Sequence, residues 1–199
     1  RKIPSRVIWL CKILNLKTLP RGILNRKIMI VLNRRFLMFN IVLVYPQIHT
    51  NTGSIGRMCV NAGCPLHLIK PLGFLIDDKH LRRAGLDYWA NLDLKIWENW
   101  DEFMAANEKF KQRFFFATTK TNKLYYEAKF QPGDFLIFGS EGHGLPLEIM
   151  RTNRENCITI PMSGAGRSLN LATSVGIVTY EAIRQNIDKF DFRSAVCEF

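Results

Sequence analysis

Short apolar segments that alternate with helix-like segments constrain the fold of this chain more than any other feature. The clearest one is FNIVLVY at residues 39–45, which consists almost entirely of β-branched, aromatic and leucine residues. Such a run is typical of a strand that is covered on both faces of a parallel sheet. Similar runs predict further buried strands at 66–69, 113–117, 135–138 and 157–160.

Helix-like segments separate these runs. Asn51-Thr52-Gly53 offers side chains that cap a helix start, and apolar residues then recur at helical spacing until Gly63. We expect further helices near 79–84 and 97–106 and over 169–187. Strands that alternate with helices predict an α/β domain with a mainly parallel sheet flanked by helices.

The positive charge of the chain is concentrated at one end. Of 28 Lys and Arg residues, ten lie in residues 1–37, which contain none of the 17 Asp and Glu residues. Residues 38–199 therefore hold 18 basic and 17 acidic residues and are almost neutral. This distribution argues against a generally basic nucleic-acid-binding surface and favours a local phosphate-binding patch.

Residues 1–37 form a basic extension that we expect to lie outside the folded domain at 38–199. An acid-free, basic start resembles an organelle transit peptide, but Ser5 is its only serine. We favour the alternative that Met38 is the physiological start and that the extension comes from upstream translation. On that interpretation the protein is cytoplasmic, whereas a working transit peptide would make it organellar.

The cysteine pattern and the apolar runs exclude several classes of protein. Five cysteines without a Cys-x-x-Cys pair disfavour a disulfide framework and a structural zinc, and the four histidines show no metal-ligand spacing with them. The apolar runs of residues 1–37 are also far shorter than the roughly 20 residues of a membrane span. We expect no metal and no membrane anchor.

Two glycine-bearing loops each leave a predicted strand and enter a predicted helix. The first is Gly139-Ser140-Glu141-Gly142-His143-Gly144, and the second runs from residue 160 to residue 170. Ligands of open α/β sheets bind beyond the carboxyl ends of strands, so the two loops could form one pocket. Ser168 and Asn170 could be polar anchors in that pocket or simple helix caps.

The first loop does not match the common nucleotide-binding motifs. Its glycine order, G-x-x-G-x-G, differs from the G-x-G-x-x-G of dinucleotide-binding folds, and Leu145-Pro146 stands where a P-loop has Lys and Ser or Thr. A nicotinamide-dependent oxidoreductase is therefore disfavoured.

Three segments, in this order, resemble the motifs of the SPOUT superfamily of RNA methyltransferases. They are N-T-G-x-x-x-R at 51–57, F-G-S-E-G-x-G-L at 138–145, and I-P-M with S-L-N-L at 160–171. The segment at 77–88 and Thr118-Thr119-Lys120 are similar to the TrmL subfamily, which methylates the wobble ribose of tRNA. The resemblance covers residues 38–199.

The resemblance implies a fold and a reaction. The fold would be a SPOUT domain with a deep trefoil knot in its C-terminal part, working as a homodimer. The reaction would transfer a methyl group from S-adenosylmethionine to the ribose 2′-hydroxyl of the wobble cytidine or uridine in the anticodon stem-loop of tRNA. Such a displacement needs two oriented reactants and removal of a proton, and it needs no metal.

The resemblance also implies roles for individual residues. Four residues would line the cofactor pocket, namely Ala117, Gly139, Ile160 and Ser168. Glu141 and Asn170 would support the loops or the substrate. Arg57, with Asn51 nearby, stands at the position assigned to activation of the ribose hydroxyl. A guanidinium is a poor base, so orienting the target phosphate is the physically easier role.

RNA contact is predicted for Lys79, Arg82 and Arg83, which would share one helical face. A solvated basic face is the alternative for this helix.

Two departures from the subfamily pattern, His143 and Ala172-Thr173, leave the choice of substrate open. A ribosomal-RNA ribose methyltransferase and a non-catalytic RNA-binding or assembly protein with the same fold therefore remain alternatives.

Overall fold

The computed structural model describes residues 38–75 and 87–190. The basic extension at 1–37 and the predicted RNA-binding residues Lys79, Arg82 and Arg83 lie outside these ranges. Within them, no helix is both long enough and apolar enough to cross a bilayer.

Within the described residues, the predicted alternation of strands and helices is confirmed. The helix predicted near 79–84 lies outside these residues. The strands are β1 (Asn40–Val44), β2 (Leu66–Ile69), β3 (Leu94–Trp97), β4 (Phe114–Ala117), β5 (Phe135–Phe138) and β6 (Cys157–Ile158). The α-helices are α1 (His49–Ala62), α2 (Trp100–Asn107), α3 (Leu147–Arg151) and α4 (Leu171–Arg184). Short 3-10 turns connect several of these elements, among them Asp87–Asn91 before β3 and Glu108–Arg113 before β4.

The six strands form one parallel sheet in the order β3-β2-β1-β5-β4-β6. Side chains of β1 pack into two separate hydrophobic clusters, Ile41 and Leu43 in one and Val42 and Val44 in the other. Alternate residues of a strand point to opposite faces, so both faces of the central sheet are buried. This arrangement explains why β1 and its neighbours are continuous apolar runs in the sequence.

The start of α1 differs from the prediction. Asn51-Thr52-Gly53 does not cap this helix, because the helix already begins at His49 and Asn51 lies in its first turn. The capping position is Ile48, whose side chain cannot accept a hydrogen bond from the backbone. The predicted end is correct, since Gly63 adopts the left-handed conformation (φ 68°) that closes the helix.

The predicted helix near 97–106 is only partly correct. Trp97 ends strand β3, an edge strand that the sequence analysis missed. Helix α2 begins at Trp100, because Asn99 caps it by accepting a hydrogen bond from the Glu102 backbone N–H at 2.8 Å. Trp97, Trp100 and Phe103 all pack in one aromatic cluster. They also follow each other at intervals of three residues, which is a helical spacing, so the sequence resembles one continuous helix.

His67 on β2 lies inside this aromatic cluster and is 1% exposed. Its ring stacks on Trp97 at an interplanar angle of 3°, and its Nδ1 accepts a hydrogen bond from Trp97 Nε1 at 3.1 Å. Within the described part of the chain, its Nε2 is a buried atom without a hydrogen-bond partner. Burial, with a smaller contribution from the charge of Lys95, lowers the pKa of His67 to about 3.

The buried histidine predicts a loss of stability in acid. Between pH 6.5 and pH 3 the unfolded chain binds a proton at His67 that the folded chain does not, so the free energy of unfolding falls as the pH falls. The expected loss from this group is about 2 kcal/mol between pH 8 and pH 5. Urea unfolding of the wild type and of His67→Phe at both pH values measures it. The variant should lose less stability than the wild type on acidification, and equal losses would contradict the assignment.

Candidate active site at the carboxyl ends of the central strands

A cavity of about 560 Å³ lies beyond the carboxyl ends of neighbouring strands of the parallel sheet. Its walls come from the segments that follow β1, β4, β5 and β6. Apolar side chains such as Phe138, Leu145 and Ile160 line it together with polar groups such as Thr118 and Ser168. Pockets of this size and mixed lining accommodate small organic ligands, and the end of an open parallel sheet is a usual place for them.

The loop that follows β5 forms a tight turn against itself. Ser140 and Gly144 exchange two backbone hydrogen bonds of 3.2 and 2.8 Å, and Gly144 adopts a positive φ of 68°. A side chain at Gly139 would place its Cβ 2.0 Å from the Gly144 carbonyl carbon and 2.1 Å from the Leu145 nitrogen. Residue 139 must therefore be glycine for the loop to close in this way.

The Glu141 side chain leaves this loop and reaches the start of α1, about 90 residues earlier in the chain. Its carboxylate accepts hydrogen bonds from the backbone N–H groups of Gln47 at 2.8 Å and Ile48 at 3.2 Å. The same carboxylate accepts a third bond, at 3.0 Å, from the Asn51 side chain. Glu141 thus accepts the backbone N–H groups of the N-cap residue Ile48 and of the residue before it, and its negative charge lies near the positive end of the helix dipole.

Asn170 extends these contacts to the third motif. Its side-chain N–H donates to Asn51 Oδ1 at 3.0 Å, and its Oδ1 accepts from the Thr173 backbone N–H at 3.2 Å. Asn170 is therefore the cap of α4, and the same side chain contacts the first motif, whereas its role as a polar anchor for a ligand stays a prediction. Glu141, Asn51 and Asn170 form one chain of hydrogen bonds that joins all three motifs, which we call the motif bridge.

The structure brings most of the sequence-predicted site residues together. Seven of the eight residues predicted for catalysis or cofactor binding line the cavity, namely Asn51, Ala117, Gly139, Glu141, Ile160, Ser168 and Asn170. Arg57 is the exception, because it is exposed on α1 and is not among the described residues that line the cavity. The roles of these residues remain predictions.

Sequence analysis missed several residues at this site. Lys120, Met162 and Arg167 line the cavity. Gln47 contacts the β5 loop, because its Oε1 accepts a hydrogen bond from the Gly142 backbone N–H at 3.1 Å. No signal in the sequence links residue 47 to residue 142. Lys120 and Arg167 could have been identified as site residues, because both are basic residues in or beside the motifs.

In the part of the chain that the structure describes, no metal site is found, and burial raises the pKa of the cysteine thiols. Across residues 38–75 and 87–190, no cluster of three or more His, Cys, Asp and Glu side chains could ligate a metal. Burial raises the pKa of Cys59 and brings that of Cys64 to about 12, so both thiols stay protonated at neutral pH.

The fold and the cavity with its three joined motifs define a methyltransferase of the SPOUT type, and comparisons with known proteins agree with this class. The SpoU rRNA Methylase family matches residues 38–180, and the chain belongs to this family.

Two curated relatives and one solved structure are particularly similar to this chain. A protein from Burkholderia ambifaria is 44% identical over 149 residues, which cover 74% of this chain and 96% of the relative. One from Methylovorus glucosotrophus is 45% identical over 160 residues, covering 80% of this chain and 100% of the relative. Both carry the name tRNA (cytidine(34)-2'-O)-methyltransferase.

The solved structure is described as "Structural insights into the 2-OH methylation of C/U34 on tRNA". It is 42% identical to this chain, with a TM-score of 0.69, and covers 76% of this chain and 98% of its own. The similarity therefore extends over nearly the whole length of each of these three proteins.

The close approach at Gly139 predicts the effect of a small substitution. In Gly139→Ala the new methyl group would overlap backbone atoms of the same loop, so the free energy of unfolding should fall by at least about 2 kcal/mol. Gly166→Ala is the matched control, because a Cβ there meets nothing within 4 Å, and it should change stability by less than about 0.5 kcal/mol. Chemical denaturation measures both variants. Similar stabilities for the two would contradict the described loop geometry.

Proposed function

We propose that this chain transfers the methyl group of S-adenosylmethionine to the ribose 2′-hydroxyl of the tRNA wobble nucleotide, a cytidine or uridine. The observation that carries the proposal is that the motif bridge joins all three methyltransferase motifs at one cavity. The printed names of relatives about 45% identical to the chain supply the substrate and the position of the reaction.

The cavity suits the cofactor in size and chemistry. A volume of about 560 Å³ lies within the range of sites for ligands of this kind. Apolar side chains at Leu145 and Ile160 suit an adenine ring, and the hydroxyls of Thr118 and Ser168 suit polar groups of the ligand. When bound, the cofactor supplies an electrophilic methyl group on a sulfonium centre.

The residues of the chain would then orient the two reactants. The β5 loop and the loop before α4 would hold the cofactor, while Asn51 and Asn170 fix these loops relative to α1. Catalysis of this kind comes largely from placing the hydroxyl in line with the methyl group and from removing its proton. We assign Arg57 to the RNA side of the reaction, where it orients the ribose or its phosphate, because Arg57 does not line the cofactor cavity.

The proposal includes an assembly and a docking surface. We propose a homodimer with a trefoil-knotted C-terminal part, as the resemblance implies. The aromatic side chain of Tyr180 on α4 is 52% exposed, and we propose that a second copy covers it. Lys79, Arg82 and Arg83 would bind tRNA phosphates.

We place the protein in the cytoplasm unless residues 1–37 act as a transit peptide.

The proposal predicts methylation at one atom of one nucleotide. Purified protein, S-adenosylmethionine and an anticodon stem-loop RNA should give 2′-O-methylcytidine or 2′-O-methyluridine at position 34, measured by mass spectrometry of nucleosides. The same RNA with a 2′-deoxy nucleotide at 34 is the control and should give no product. The SpoU family name favours ribosomal RNA as a second candidate substrate. Methylation of ribosomal RNA instead of tRNA would contradict the proposed substrate.

The same assay tests Arg57. Arg57→Ala should lower single-turnover methylation by about a hundredfold or more, because an orienting cation is lost at the reaction centre. Its affinity for S-adenosylmethionine should stay within about twofold of the wild type, since Arg57 does not line the cavity. Full activity of this variant would contradict its assignment to the reaction.

A further inference from the structure

Gln47 makes two reciprocal hydrogen bonds to the cofactor loop. Its backbone N–H donates to Glu141 Oε2 at 2.8 Å, and its side-chain Oε1 accepts from the Gly142 backbone N–H at 3.1 Å. The two bonds connect consecutive residues at the tip of the loop to a single residue of the segment between β1 and α1. Neither the three motifs nor the resemblance assigns a role to this residue.

Contacts of the neighbouring residues hold the backbone of Gln47 in place. Tyr45 adopts a positive φ of 57°, which is uncommon for a bulky residue, and turns the chain at the end of β1. Its N–H donates to the Ile69 carbonyl at 3.0 Å, and the Pro46 carbonyl accepts from the Gly73 N–H at 2.9 Å. Gly73 also packs so closely that a Cβ there would lie 2.6 Å from the Gln47 carbonyl oxygen. Neighbours therefore fix Gln47 on the side away from the loop.

Several contacts hold the loop that Gln47 contacts, including those of the Glu141 carboxylate to Ile48 and Asn51. Mutual hydrogen bonds between Ser140 and Gly144 close its base. At its tip, the Gly142 N–H donates to Gln47, and Gly142 has no side chain of its own to pack. A glycine-rich tip loses much conformational entropy when it is ordered, so a fixed acceptor for the Gly142 N–H favours the ordered loop.

We propose that Gln47 is a positioning residue for cofactor binding, which acts through Gly142 and Glu141 to hold the 139–144 loop in its ligand-binding form. This inference rests on the proposed function, because it takes S-adenosylmethionine as the ligand of the cavity. A ligand that binds the ordered loop loses affinity in proportion to the fraction of the protein in which the loop is misplaced. Gln47 therefore controls the affinity for the cofactor and leaves the chemical step unchanged.

Two substitutions at Gln47 separate the hydrogen bond from the size of the side chain. Gln47→Met keeps the length but removes the acceptor, whereas Gln47→Glu keeps an oxygen that can accept from Gly142. Calorimetry should give about fivefold weaker binding of S-adenosylmethionine for Gln47→Met and a smaller loss for Gln47→Glu, whose carboxylate can accept from Gly142 but lies beside that of Glu141. The KM for the cofactor should rise in Gln47→Met, while kcat at saturating cofactor should stay within about twofold.

A third variant disturbs the same contact from the other side. In Gly142→Ala the new Cβ would lie 2.9 Å from Gln47 Oε1 and would push that flexible side chain away. This variant should also weaken cofactor binding by about fivefold, and the double variant Gln47→Met with Gly142→Ala should be no weaker than either alone. Gly142→Ala also tests the contact if Gln47→Met does not fold, and the melting temperature of each variant shows whether it folds.

The outcomes distinguish this inference from the proposed function. If the wild type does not bind S-adenosylmethionine, the proposed function fails and the positioning role fails with it. If the wild type binds and Gln47→Met binds equally well, only the positioning role is overturned. Additive losses in the double variant would likewise overturn it.

Discussion

The carboxylate of Glu141 is the interaction on which the rest of the site depends. It accepts hydrogen bonds from the backbone N–H groups of the two residues that precede α1 and from the side chain of Asn51 in the first turn of that helix. Hydrogen bonds to a charged acceptor stabilise a structure by about 1.5–3 kcal/mol each, more than neutral ones. Without this carboxylate, the backbone N–H groups of Gln47 and Ile48 would lose their acceptor, and the β5 loop would lose these contacts with the start of α1.

The parallel sheet makes this contact possible. Strands β1 and β5 are neighbours, with Leu43 opposite Phe138 at their carboxyl ends, so the segments that follow them begin side by side. Residues about 90 positions apart in the sequence therefore meet at one edge of the sheet. Asn170, at the end of the loop that follows β6, contacts Asn51 at the same edge. The cavity between these loops follows from the strand order, and the motif bridge fixes the loops around it.

Local signals were enough to predict most of the fold. The continuous apolar runs of β1, β2, β4 and β5 reflect burial on both faces, and Gly63 marked the end of α1. The prediction failed where the determining contact is distant. Glu141 contacts the segment that leads into α1, which the local sequence around Asn51 cannot reveal, and Trp97, at the end of β3, stacks on His67.

The candidate site was predictable to a similar degree. The motifs identified the residues that line the cavity because a motif records which residue types recur at a site. They did not identify Gln47, whose role depends on a side-chain contact to the backbone of Gly142, 95 residues away. They also did not indicate that Arg57 is not a lining residue of the cavity, because the position of α1 relative to the loops is determined only in the folded chain.

Backbone hydrogen exchange tests most directly whether Glu141 joins the β5 loop to α1. The amides of Gln47 and Ile48 should exchange slowly in the wild type, because both donate to the carboxylate. In Glu141→Ala these two amides should exchange at least about tenfold faster, whereas the amide of Leu43 in the middle of the sheet should keep its protection. Unchanged exchange of Gln47 and Ile48 in the variant would contradict the account, since another group would then have to satisfy these donors.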